Sequence, residues 1–132
     1  MRIIQIIDSL EPGGAERMAV HYANALAARI EFSGLVVTRK EGALDSQIDA
    51  KVSYLYLNKK KTVDFKALFV LRNYVRQHNV TIVHAHSSSF FLAFLLKLSM
   101  PSFKLICNDH YGNKDFLSKK PLRMLRIIAP VF

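Results

Sequence analysis

A chain of 132 residues has room for one domain, and a composition that is 51% hydrophobic excludes intrinsic disorder even with a formal net charge of +9. A domain of this mass buries about 68% of its unfolded surface, so a core can form without covalent staples. The single cysteine, Cys107, permits no internal disulfide, and the longest apolar run, residues 90–96, falls far short of the roughly 20 residues of a membrane span.

Residues 2–7 are mostly apolar behind the basic Arg2 and meet Asp8 at once, too short a run for a secretory signal. They read as a first strand, and a cytoplasmic location is the expectation. Residues 14–29 follow as a helix, with Ala15, Met18, Ala19, Tyr22, Ala23, Leu26 and Ala27 forming a stripe at helical spacing. A second strand spans 31–38, a polar connection holds a short helix near 44–50, and a third strand spans 52–57. The next helix covers 64–78, with Thr62 or Asp64 as its cap and Leu68, Leu71 and Val75 facing inward. A strand at 81–85, a helix at 87–99 that stops before Pro101, and a strand at 103–108 complete the alternation. A last helix starts near Pro121.

Strands that alternate with helices pair in parallel through right-handed crossovers. The first, fourth and fifth strands are almost continuously apolar, as covering on both faces requires. The expected fold class is therefore α/β: a doubly wound, Rossmann-like parallel sheet of about five strands in the order 3-2-1-4-5, one domain over residues 1–132. Ligands of such sheets sit at the carboxyl ends of the strands, where the strand order reverses. Three polar clusters fall there: residues 8–14, His86-Ser87-Ser88, and Asp109-His110-Tyr111-Gly112.

Gly13-Gly14 stands between an apolar strand and a helix, where backbone N–H groups and the helix dipole can meet a phosphate. A plain turn is the alternative. The G-x-G-x-x-G spacing of a dinucleotide site is absent, and the second strand ends at Thr38-Arg39 rather than on an acidic residue. Glu16 either complements the helix dipole or touches the ligand. His84 and His86 share one strand face, but no third ligand follows at metal-site spacing, so no metal and no cofactor are expected. His86, at the strand tip, is positioned to reach a ligand hydroxyl, whereas His84 reads as a core histidine. Ser87 and its serine neighbours can cap the next helix or contact the ligand. Asp109 and His110 either bind a sugar hydroxyl or phosphate, or form a turn. No G-x-S-x-G elbow supports a hydrolase, and Cys107 is expected to be buried and inert.

Two zones hold much of the positive charge. Residues 59–76 carry Lys59, Lys60, Lys61, Lys66, Arg72 and Arg76 against Asp64 alone, and residues 97–126 form the second zone. They are either solvated helix faces or contacts for an anionic membrane or a phosphorylated ligand. Nucleic acid is excluded as a partner by the lack of any interleaved aromatic stripe or recognition motif. The segment 119–129 is basic and apolar together, fitting a helix that lies on a membrane surface or one that packs on a further part of the molecule.

The run Ile3-Ile-Gln-Ile-Ile-Asp8-Ser9-Leu10 followed by Gly13-Gly14-Ala15-Glu16-Arg17 resembles the amino-terminal end of glycosyltransferase family 4. Ile82-Val83-His84-Ala85-His86-Ser87 is similar to that family's fourth-strand end, with Thr81 where an acidic residue is common. Asn108-Asp109-His110-Tyr111-Gly112 is similar to its T-x-H-G segment, with Asn108 in place of the threonine. The resemblance implies the acceptor-side domain of a two-domain GT-B enzyme that transfers a sugar, with retention, from a nucleotide-sugar to a glycan or lipid-linked acceptor. It implies that Gly13 and Gly14 approach the donor diphosphate and that His110 lies near the reacting sugar as the catalytic residue. Glu16, His86, Ser87 and Asp109 are the remaining candidate substrate contacts. The family's E-x7-E segment and donor domain are not found in these residues, so the chain is expected to be an incomplete half that transfers no sugar alone. A free-standing nucleotide-binding module and a membrane-associating basic domain are the alternatives.

Overall fold

Strand β1 (Arg2–Ser9) carries isoleucine at positions 3, 4, 6 and 7, so both of its faces are apolar and both need cover. A computed structural model, which describes residues 1–61, 64–86, 89–100 and 102–108, gives it that cover by placing it at the centre of a parallel sheet. The order is β3 (Ser53–Tyr56), β2 (Phe32–Lys40), β1, β4 (Ile82–His86), β5 (Lys104–Asn108). All four pairings are parallel. This is the order expected for the doubly wound class.

Helix α1 (Gly14–Ala27) lies on one face. Its Ala19, Val20 and Ala23 pack with Ile7, Leu35 and Val37. Helices α2 (Phe65–Gln77) and α3 (Phe90–Ser99) lie on the other, where Leu71, Val75, Leu92 and Leu96 pack with Ile4, Ile6, Val36, Val83 and Leu105. Right-handed crossovers explain the split. The chain moves outward from β1 to β3, then jumps back across β1 to β4, and the reversal of direction puts the connecting helices on opposite faces.

Several boundaries shift from the sequence expectation. β1 and β2 each run two residues further, because Thr38 Oγ1 donates to Asp8 Oδ1 at 2.6 Å and extends the pairing past the apolar run. α1 ends at Ala27 rather than at residue 29, and the short helix after β2 is a 3-10 turn over Ala43–Gln47. The inward face of α1 uses Val20 instead of Met18, which is exposed. Asp64 is the cap of α2 and accepts from the Ala67 N–H at 3.1 Å. The helix expected from Pro121 lies outside the described residues.

Candidate functional site

The sheet's reversal point lies between β1 and β4, and the carboxyl ends of these strands form the candidate site. Pairing slips after Ile7, where Ile7 faces Val37 but Ser9 faces Lys40. The bulge turns the chain off the sheet. The next residue anchors it: Leu10 is fully buried, its N–H donates to the Lys40 carbonyl at 3.1 Å, and its carbonyl accepts from the Leu44 N–H at 3.0 Å. Gly42 makes this seat possible, since a Cβ there would lie 2.5 Å from the Leu10 carbonyl carbon. Glu11 pairs with Lys40 on the exposed rim, and that hydrogen bond raises the Lys40 pKa.

The loop then enters α1 through Gly13, in an extended conformation with φ −164° and ψ 173°. Neither Gly13 nor Gly14 adopts a positive φ, so these glycines are not demanded by backbone strain. Gly14 is exposed, and nothing lies within 4 Å of where its Cβ would sit. The cap residue has no side chain, so no cap hydrogen bond shields the N–H groups of the first helical turn. These donors, with the positive end of the helix dipole, suit an anion. Glu16 folds back toward them: a Cβ on Gly13 would be 2.5 Å from Glu16 Oε1. Its carboxylate therefore sits beside the Gly13 backbone, where it complements the positive end of the helix dipole.

The sequence places His86 at the tip of β4, in position to reach a ligand hydroxyl. It occupies the last position of the strand, but it is wholly buried, with Nε2 2.7 Å from Gln5 Oε1. Ser89, which precedes α3, accepts the His86 N–H at 3.0 Å. Its hydroxyl lies within reach of the Ile6 carbonyl at 2.8 Å and the His86 carbonyl at 2.6 Å. Ser89, one of the three serines read as possible caps, holds the N-cap position of α3 but makes no side-chain cap bond there, and its hydroxyl stitches the end of β4 to β1. Gln5 escapes a motif search; its signal is a single amide inside an isoleucine strand. His84 is half-buried, its ring 4.1 Å from that of His86 and 5.5 Å from that of Tyr22. Among the described residues no group of His, Cys, Asp or Glu could hold a metal ion.

Cys107 on β5 packs against the core beneath α3, and burial pushes its thiol up to about 11, so it stays protonated near neutral pH. Ser87, Asp109 and His110 lie outside the described residues. The described edge thus brings together Asp8, Thr38, the Leu10–Gly14 loop and the buried Gln5–His86–Ser89 network. A groove of about 440 Å³ lies elsewhere, on the α1 face of the sheet, between Tyr22 and Leu26 of α1 and Ile82, His84 and Ile106. It is largely apolar, and Gly14 is not among the residues that line it. No described helix is long and apolar enough to cross a membrane.

Set beside known proteins, residues 12–131 match the family model described as Glycosyltransferase Family 4. No curated protein shows a significant match.

Proposed function

The chain belongs to glycosyltransferase family 4, and on that premise we propose that it is the amino-terminal, acceptor-side half of a retaining GT-B enzyme. The donor is a nucleotide-sugar and the acceptor a glycan or a lipid-linked saccharide. The carrying observation is the unobstructed space at Gly14, beside uncapped N–H donors on the strand edge where α/β sheets bind ligands. In this proposal the Gly13-Gly14 loop approaches the donor diphosphate, while Glu16 gates the helix end. His110, Asp109 and Ser87 take the roles that the family resemblance implies.

One α/β half forms one wall of a cleft. A second wall is needed to enclose the donor and exclude water, so we expect residues 1–132 alone to transfer no sugar. The enzyme works in the cytoplasm, in peripheral contact with an anionic membrane where its acceptor is lipid-linked. Its net charge of +9 supports that contact.

Gly14→Val tests the proposal, because nothing lies within 4 Å of where its Cβ would sit, and an unchanged melting temperature checks that the fold is kept. In an enzyme that carries both halves, the variant should lower kcat/KM for the nucleotide-sugar by about tenfold or more, the scale expected when diphosphate contacts are displaced. Unchanged kinetics would remove the loop from the site. Saturable nucleotide binding by residues 1–132 alone, lost in Gly14→Val, would favour a free-standing nucleotide-binding module instead.

A further inference from the structure

Helix α2 turns Ala67, Leu71 and Val75 to the core. At 100° per residue the opposite face carries Phe65, Phe69 and Arg76. A surface helix ordinarily keeps large apolar side chains off that face, yet Phe65 is 75% exposed and Phe69 60%. The two rings sit one turn apart on the same face and form one patch, flanked by Val70.

A lysine loop leads into the same helix. β3 exits through Asn58 at φ 52°, and the chain turns into Lys59, Lys60 and Lys61. The Lys60 N–H donates to Asp64 Oδ2 at 3.0 Å, which fastens the lysine loop to the first turn of α2. Lys60 and Lys66 line one small pocket together with Val70. Lys59 is held against the end of β2, its N–H donating to the Thr38 carbonyl at 2.6 Å. The arrangement is therefore a pair of exposed aromatic rings on the first turns of α2, with a lysine loop whose backbone is tied to the start of that helix.

We infer that the outer face of the first turns of α2, together with the Lys59–Lys61 loop, docks on an anionic lipid surface. The rings enter the headgroup boundary and the lysines pair with lipid phosphates. Charge complementarity favours this occupant. An acidic protein could satisfy the lysines, but the lipid interface also offers an apolar layer at the depth of the two rings. The inference rests on the proposed peripheral membrane contact and assigns it a surface. Because α2 begins just beyond the carboxyl end of β3, the patch borders the same sheet edge as the Gly13-Gly14 loop. Docking there sets the mouth of the site beside the lipid from which a lipid-linked acceptor would come.

Co-sedimentation of the full chain with phosphatidylcholine vesicles, with and without phosphatidylglycerol, tests this. Binding should require the anionic lipid and weaken with salt. Phe65→Ser/Phe69→Ser should cut partitioning by about tenfold or more while the melting temperature stays unchanged, since neither ring is buried. The indole introduced by F69W should shift its emission to the blue on anionic vesicles alone. If the parent chain binds anionic vesicles and the double serine variant binds equally well, this surface is wrong although the membrane contact stands. If the parent chain binds no vesicles, both are wrong. A self-association that the double variant abolishes, with no vesicle binding, would assign the patch to a second copy and overturn the inference. None of these outcomes touches sugar transfer to a soluble acceptor.

Discussion

The two faces of the sheet are covered to different degrees. Beneath α2 and α3, residues from all of β1, β2, β4 and β5 enter one apolar cluster, including Ile4, Val36, Val83 and Leu105. On the α1 side, cover reaches from β1 toward β3, while β4 and β5 present His84 and Ile106 to an open groove. The polar pair Gln5 and His86 also faces this second side, as alternation along β1 and β4 requires. The covered face carries the stability of the domain. The less covered face holds the buried Gln5–His86 pair, which joins the central strands just behind the candidate site.

Substitutions should rank accordingly. Leu96→Ala, on the covered face and fully buried, should cost about 2–5 kcal/mol, read as a fall in the denaturation midpoint. A cost below 1 kcal/mol would mean that α3 is not seated as described. Gln5→Leu takes an acceptor from a buried imidazole and should cost about 1–3 kcal/mol. The double variant Gln5→Leu/His86→Leu should cost less than the sum of the two single changes, because each single change already removes the bond the two groups share. Strict additivity would show that the pair is not coupled. Ile106→Ser, 40% exposed at the groove, should fall within about 0.5 kcal/mol of the parent. A loss as large as that of Leu96→Ala would mean that the groove is filled in the working protein, and the contrast between the faces would vanish.

The sequence made the order of elements and the strand order legible because apolar runs and helical stripes are local signals, and the crossover rule turns them into topology. It gave the cap of α2 for the same reason, since Asp64 acts three residues away on Ala67. It did not show that His86 is buried, because Gln5 is 81 positions distant and nothing local links an amide in one strand to an imidazole in another. Gly42 was missed for a similar reason: its role is a close approach to Leu10, made only when β1 and β2 pair. Val20 replaced Met18 on the inner face of α1 because a stripe fixes a helix's period but not the rotation at which it settles on the sheet. The loop at Gly13-Gly14 was legible as a place, since an apolar strand, two glycines and a helix follow one another locally; neither glycine takes the positive φ on which the plain-turn alternative drew, and the space beside Gly14 is open.

The central position of β1 also has a consequence for how the chain is made. Of the five strands of this sheet β1 is synthesised first, and β2 can pair with it early. Its other neighbour is β4, where Ile3 to Ile6 meet Ile82 to Ala85. At about 5–20 residues per second, some 4–16 s of synthesis separate the two strands. Through that interval one edge of an isoleucine strand has no partner, and an edge of that kind templates aggregation. Expression yield should therefore depend on the speed of translation through the residues between β2 and β4, and a chaperone that shields β1 should matter most before residue 86 has emerged.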